Sequence, residues 1–266
     1  MKKKLTTEDL IAEAKTFCEK ESKFDNKDLF GVTDGKAVGT FIEHKFTERL
    51  EAIYGVTVGS SANGIDLPSR NINTDIKVTS IEQPQSSCPF RGPRQKIYGL
   101  GCNLLLFVYE KTDDRKKKAA RLNFVSCSFI EKHRTADYQM TKTIRQIIEN
   151  KANAEDIIAY FSDRNLPADD ITMTQLAQEV LKNKPEQGYL TMSNALQWRL
   201  QYGRIVKLTE GVDGIVRIID NLSVLSQEKY AWCRQVAGVQ CLVRILDRHR
   251  FQFRLRICDA ALFESF

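Results

Sequence analysis

Leu104 to Tyr109 reads Leu-Leu-Leu-Phe-Val-Tyr, an unbroken apolar run set between Gly101-Cys-Asn103 and Glu110-Lys-Thr-Asp-Asp114. Side chains on a strand point alternately to opposite faces, so a strand with no polar alternate must be covered on both. The run is also far too short to span a bilayer. Arg121 to Ile130 (RLNFVSCSFI) alternates and reads as another strand. The chain therefore has to build a sheet, and other elements have to cover it.

Helices are available for that purpose. Thr6 or Thr7 caps a first helix running to about Lys23. After a polar connection from Asp25 to Gly35, a second helix is predicted from about Lys36 to Tyr54. Its apolar residues Val38, Phe41, Ile42, Phe46, Leu50 and Ile53 recur at helical spacing, and Gly55 ends it. Val56-Thr57-Val58 opens a β region, Gln83 to Pro93 reads as a Pro, Ser and Gly loop, and Met140 to Phe161 as one further helix. The expected fold is α/β (α+β), a mixed central sheet flanked by helices, with residues 1–165 as the core. At 266 residues, with 42% hydrophobic and 28% charged, the chain can bury such a core without staples.

From about Pro167 the texture changes. Thr172 to Lys182 and Ser193 to Gly203 read as two short helices. Arg204 to Leu208 and Ile215 to Ile219 then flank Glu210-Gly-Val-Asp-Gly214 as a hairpin. Two helices and a hairpin are the layout of a winged helix over residues 166–222. Its second helix carries Gln197, Arg199 and, at its end, Arg204, which suit a DNA groove. The same pattern also fits a helical subdomain that packs on the core, and both readings stand. The tail, 223–266, reads as a helix and two strands packing on the core.

The net charge of +6 and the pI near 8.9 suit a polyanionic partner without demanding one. Lys2-Lys-Lys4 and Arg115-Lys-Lys-Lys118 read as a solvated terminus and turn. Seven cysteines without a CxxC pair read as reduced thiols, not a disulfide framework or a zinc site. The first ten residues lack an apolar signal region. A cytoplasmic protein with no membrane association is expected.

Chemistry concentrates at Gly64-Ile-Asp66 and Ile72-Asn-Thr-Asp-Ile-Lys-Val78. Acid-x-Lys triplets also start at Glu13, Asp25, Glu43 and elsewhere, so the triplet alone means little. Asp75 differs by context. Ile72, Thr74, Ile76 and Val78 point one way along a strand, and Asp75 and Lys77 the other. With a turn at Arg70-Asn71, Asp66 lies opposite Asp75 at a Cβ separation of roughly 5 Å. Facing carboxylates repel unless a cation lies between them, and Mg²⁺ is the natural candidate. Lys77 can orient or deprotonate a water and offset transition-state charge. The competing reading is an exposed hairpin in which Lys77 only neutralises the acids. Glu43, at the margin of the apolar stripe of the second helix, can reach the same place, or can serve as a rim glutamate like Glu48.

A helix bearing Glu43, then Gly-Ile-Asp66, eight intervening residues, and Asp75-Ile-Lys77 on a strand resembles the PD-(D/E)XK nuclease superfamily, and within it the type II restriction endonucleases. The resemblance covers about the first 130 residues, with Ile65 in place of the proline of the family's name. It implies Asp66 and Asp75 as Mg²⁺ ligands, with Ile76 between the two motif residues also a metal position. It further implies Lys77 as the catalytic lysine, Glu43 as the helix glutamate, and products with 5′-phosphate and 3′-hydroxyl ends. Double-stranded DNA is the implied substrate. A palindromic site calls for a homodimer, and a cognate methyltransferase, not a physical partner, would protect host sites. Ser86, Ser87, Arg91, Arg94, Gln95 and Lys96 follow the motif and offer donors for phosphates and base edges, or form an ordinary loop.

No phosphate-binding GxxxxGK[ST] loop, GxGxxG fingerprint or paired histidine nuclease motif is present. Two other readings remain open: a winged-helix DNA-binding regulator without catalysis, and a repair or recombination nuclease of the same superfamily.

Overall fold

In the computed structural model the apolar run forms the middle of a sheet, as its composition demands. The structure describes residues 2–59, 64–88, 91–151, 153–193 and 198–222, all within one unit, Met1–Leu225. The elements run α1 (Thr7–Glu21), β1 (Asp25–Asn26), α2 (Gly35–Ile53), β2 (Thr74–Ser80), β3 (Gln85–Cys88), α3 (Arg94–Tyr98), β4 (Asn103–Asp114) and β5 (Ala119–Ile130). They continue with α4 (Tyr138–Glu149), α5 (Ala154–Asp163), α6 (Asp170–Lys182), β6 (Thr191–Met192), β7 (Trp198–Gln201), α7 (Gly203–Val206) and β8 (Ile215–Asp220).

The main sheet has the order β1-β5-β4-β2, and β8 also pairs with β5. β2 runs parallel to β4, and the other pairs are antiparallel. This is the mixed sheet expected. Leu104 to Val108 are all 0% exposed, so β4 is covered on both faces. On one face Leu105 and Phe107 meet α1 and α2, where Phe17, Phe46, Phe107 and Phe124 pack with centroids 5.1–6.0 Å apart. Tilted and edge-on aromatic contacts of this kind add to the burial itself. On the other face Leu104, Leu106 and Val108 meet Leu190, Met192, Leu200 and Tyr202. Those last residues come from or adjoin a second, antiparallel sheet of order β3-β7-β6. A third cluster joins α4, α5 and α6 to Ile97 of α3.

Four local expectations are corrected. The 140–161 helix is two helices: α4 ends at Glu149, Lys151 takes a left-handed φ of 58°, and Asn153 caps α5 through a reciprocal bond pair with Asp156. Val56 to Val58 carries no strand. Within the 83–93 loop, β3 forms by pairing with β7. The winged-helix layout is absent from the described part of 166–222. α6 forms as predicted, but residues 198–201 are the strand β7 and residues 203–206 the helical turn α7. Leu200 and Tyr202 are buried and Arg199 and Gln201 exposed, a period of two that β3 converts into a strand. β8 forms, yet pairs with β5 of the main sheet rather than with 204–208. Gln197 and the tail predicted from 223 onward lie outside the described residues.

Candidate active site

β2 is the free edge of the main sheet, and both of its faces are engaged. Ile76 and Val78 pack with α1 and α2. Gly39 of α2 approaches so closely that a Cβ there would stand 3.5 Å from the Val78 carbonyl oxygen. Asp75, Lys77 and Thr79 turn to the other face, level with Leu104, Leu106 and Val108 of β4. The alternation read from the sequence holds, and the β3-β7-β6 sheet roofs part of this face, leaving Lys77 and Thr79 to line a cleft.

The hairpin register is the predicted one. Leu67 and Thr74 exchange N–H···O bonds of 3.0 Å each, so Asp66 faces Asp75 at the neighbouring non-hydrogen-bonded position. Asn73 makes the turn with a left-handed φ of 38°, which asparagine tolerates. Its own carbonyl and that of Ile72 accept bonds from Asn103 at 2.8 Å, which fixes the hairpin to β4. Beyond Leu67 the first limb stops pairing through its backbone. The Asp66 carboxylate instead accepts the Ile76 N–H at 2.8 Å. N–H and C=O of one strand residue point the same lateral way, so the Ile76 carbonyl also faces the Asp66 edge.

Lys77 Nζ lies 2.7 Å from Asp75 Oδ2. Asp75 is 8% exposed, and its carboxyl is pushed up to about 7. Burial dominates, and a hydrogen bond with Asp66 adds to it, while Lys77 only partly opposes. Burial alone would lower Lys77. Asp75, Tyr202 and Asp66 together overcome it and hold the amine above the ordinary lysine range. Lys77 is thus an ammonium held beside two carboxylates. Burial also raises Glu43, with Lys77 opposing and Asp66 adding. Glu43 and Lys77 line one cleft of about 830 Å³, together with Ser86, Ser87 and Arg199. Glu48 belongs to a separate pocket with Phe24 and His44.

The chemistry of this donor set fits a hard divalent cation. Two facing carboxylates, one with a strongly raised proton affinity, and a carbonyl on the same edge ask for positive charge. Among the described residues no three Asp, Glu, His or Cys side chains form a closed cage.

The basic candidates divide. Arg199 lines the cleft. Arg91 sits beside the Gly64 limb, since a Cβ on Gly64 would meet its guanidinium at 2.8 Å. Gln95 accepts the Arg91 N–H at 3.0 Å. Arg94 bonds Glu179 at 2.7 Å and lies 4.5 Å over the Tyr98 ring, joining α3 to α6. Lys96 is buried. The Arg204 guanidinium stacks 3.6 Å over Tyr138. Two buried thiols adjoin the site. Cys88 and Cys102 lie near Asp75 and Lys77, and burial pushes Cys102 up to about 12, so it stays protonated.

The family model of the type II restriction enzyme NspV matches residues 4–217. The type II restriction enzyme NspV of a Nostoc species is 52% identical over 217 residues, covering 82% of this chain and 98% of that protein. No solved structure matches the chain.

Proposed function

The chain belongs to the family of the type II restriction enzyme NspV, and from that premise we propose that it cleaves double-stranded DNA at one short sequence, with Mg²⁺ held at Asp66, Asp75 and the Ile76 carbonyl. Type II restriction enzymes as a class use a divalent metal and hydrolyse phosphodiester bonds. The observation that carries the assignment of the site is the Asp75–Lys77 ion pair of 2.7 Å, set opposite Asp66 on an edge strand, with Lys77 lining a cleft that Glu43 shares.

A divalent cation bound there supplies Lewis-acid polarisation of the phosphodiester and neutralises charge. Lys77 presents a fixed ammonium to the anionic transition state, where such a group is most effective because little water competes. It also orients the attacking water for in-line displacement of the 3′-oxygen, leaving 5′-phosphate and 3′-hydroxyl ends. Glu43, raised by burial, presents a carboxyl at the cleft wall beside Lys77.

Arg91, Arg199 and Ser87 contact the DNA, and residues 166–222 contribute to recognition through the β7 ribbon rather than through a reading helix. Arg94, Lys96 and Arg204 serve by holding α3 and α7 in place. The enzyme acts as a cytoplasmic homodimer on a two-fold site that a cognate methyltransferase protects. No helix among the described residues is long and apolar enough to cross a membrane. Family membership disfavours a regulator without catalysis and a repair nuclease.

Plasmid DNA incubated with Mg²⁺ should give discrete fragments that EDTA abolishes. Lys77→Ala should lower the rate by roughly a hundredfold or more, as for loss of one charge-stabilising group. Wild-type cleavage by Lys77→Ala would remove these residues from the reaction.

A further inference from the structure

Tyr202 closes the roof above Lys77. It is 0% exposed and follows β7 directly. Its N–H donates to the Pro84 carbonyl at 2.8 Å, and its hydroxyl lies 2.6 Å from Ser86 Oγ. Ser86 pairs with Leu200, so Ser86, Leu200 and Tyr202 share the inner face of the β3–β7 ribbon. Ser87 pairs with Arg199 on the outer face, and both line the cleft that Ser86 and Lys77 also reach. In the main sheet Lys77 pairs with Leu106, which packs in the same cluster as Leu200 and Tyr202. Lys77 and Tyr202 therefore enter one layer from two opposed sheets. The phenol lies within electrostatic reach of both Lys77 and Asp75.

Packing alone does not account for a tyrosine here. Phenylalanine would fill the same volume without a buried hydroxyl, whose desolvation costs about 1–3 kcal/mol unless it is bonded. The hydroxyl is bonded to Ser86 and lies within electrostatic reach of the Lys77 cation. A charge on a flexible four-carbon stem is useful in catalysis only if its direction is fixed.

We infer that Tyr202, held by Ser86, is a positioning residue for Lys77, fixing the ammonium and tying it to the ribbon whose outer face, at Ser87 and Arg199, meets the DNA. The inference rests on the nuclease reading of Lys77 given above. It makes the ribbon more than a roof. A shift of β3 or β7 on engaging DNA would displace the Ser86–Tyr202 pair in the layer that also holds Lys77, and so join recognition to cleavage.

The test separates binding from chemistry. Single-turnover cleavage with Mg²⁺ and duplex binding in EDTA are measured for Tyr202→Phe, Ser86→Ala and Ser86→Thr, with Lys77→Ala as the reference. Tyr202→Phe and Ser86→Ala should each slow cleavage roughly 10- to 100-fold while the duplex Kd stays within about threefold. Ser86→Thr, which keeps a hydroxyl, should recover most of the rate. The double variant should be little worse than either single one, since both break one connection. Unchanged cleavage in Tyr202→Phe and Ser86→Ala overturns the inference. So does a parallel fall of rate, affinity and Tm, which marks a structural role only. If Lys77→Ala itself cleaves normally, the nuclease reading of the site fails instead, whatever the tyrosine does.

Discussion

Asp75 is placed where an ionised carboxylate is hard to keep. It is buried, faces Asp66, and is paired with the Lys77 cation. Its folded-state pKa of about 7 exceeds the ordinary carboxylate value of 3.8. A group whose pKa rises on folding stabilises the fold while protonated, and that contribution is lost as pH climbs through the folded value. Lys77 shifts upward from 10.5, so it stays charged throughout this interval and adds no slope. Metal-free protein should therefore lose stability between about pH 4 and pH 7 through Asp75. A divalent cation takes the place of that proton, so its stabilising effect must grow over the same range. The expected result is a Tm difference between MgCl₂ and EDTA that is small at pH 5 and large at pH 8. Asp75→Asn should flatten it. An equal difference at both pH values in the wild-type protein would show that the cation binds elsewhere.

The local relations of the site were readable from the chain because they depend on near neighbours. Alternation along 72–78 put Asp75 and Lys77 on one face, and the turn at 70–71 set Asp66 opposite Asp75. The roof was not readable. Ser86 and Tyr202 are 116 positions apart, and only their pairing turns a Ser-rich loop and a helix-like 193–203 stretch into strands. Glu43 belongs to an intermediate case. Its helix phase was clear, but its distance from the lysine depends on how α2 lies on β2. Gly39 sets that distance through its approach to Val78. Alanine at 39 meets only ordinary van der Waals contacts, so Gly39→Ala should keep activity and gain about 0.5–1 kcal/mol from helix propensity. Leucine there must lift α2 from the strand and carry Glu43 away from Lys77. Chemical denaturation and cleavage assays should show Gly39→Leu folded but slowed about tenfold or more. Full activity in Gly39→Leu would mean that the helix spacing, and with it Glu43, is immaterial to the reaction.

The family match ends at residue 217, inside β8, and a relative of almost the same span is covered over 98% of its own length. β8 pairs with β5 from Ser126 to Ile130, so the sheet that carries β4 and β2 is incomplete without it. Asn221 adds one more tie, its N–H donating to the Val125 carbonyl at 2.9 Å. The last residue that the fold requires should therefore lie just past these positions. A chain ending at Leu225 retains every element of the described unit. It should fold cooperatively and give the same fragments from plasmid DNA as the full chain. A chain ending at Gly211 removes β8 and exposes the edge of β5 from Ser126 to Ile130, where Cys127 and Ile130 are fully buried. An unpaired apolar edge of that kind invites association with other chains. The shorter protein should aggregate or lose its cooperative transition, and size-exclusion chromatography with thermal melts decides the matter. Loss of specific cleavage in the Leu225 chain would place part of the cleaving unit beyond residue 225.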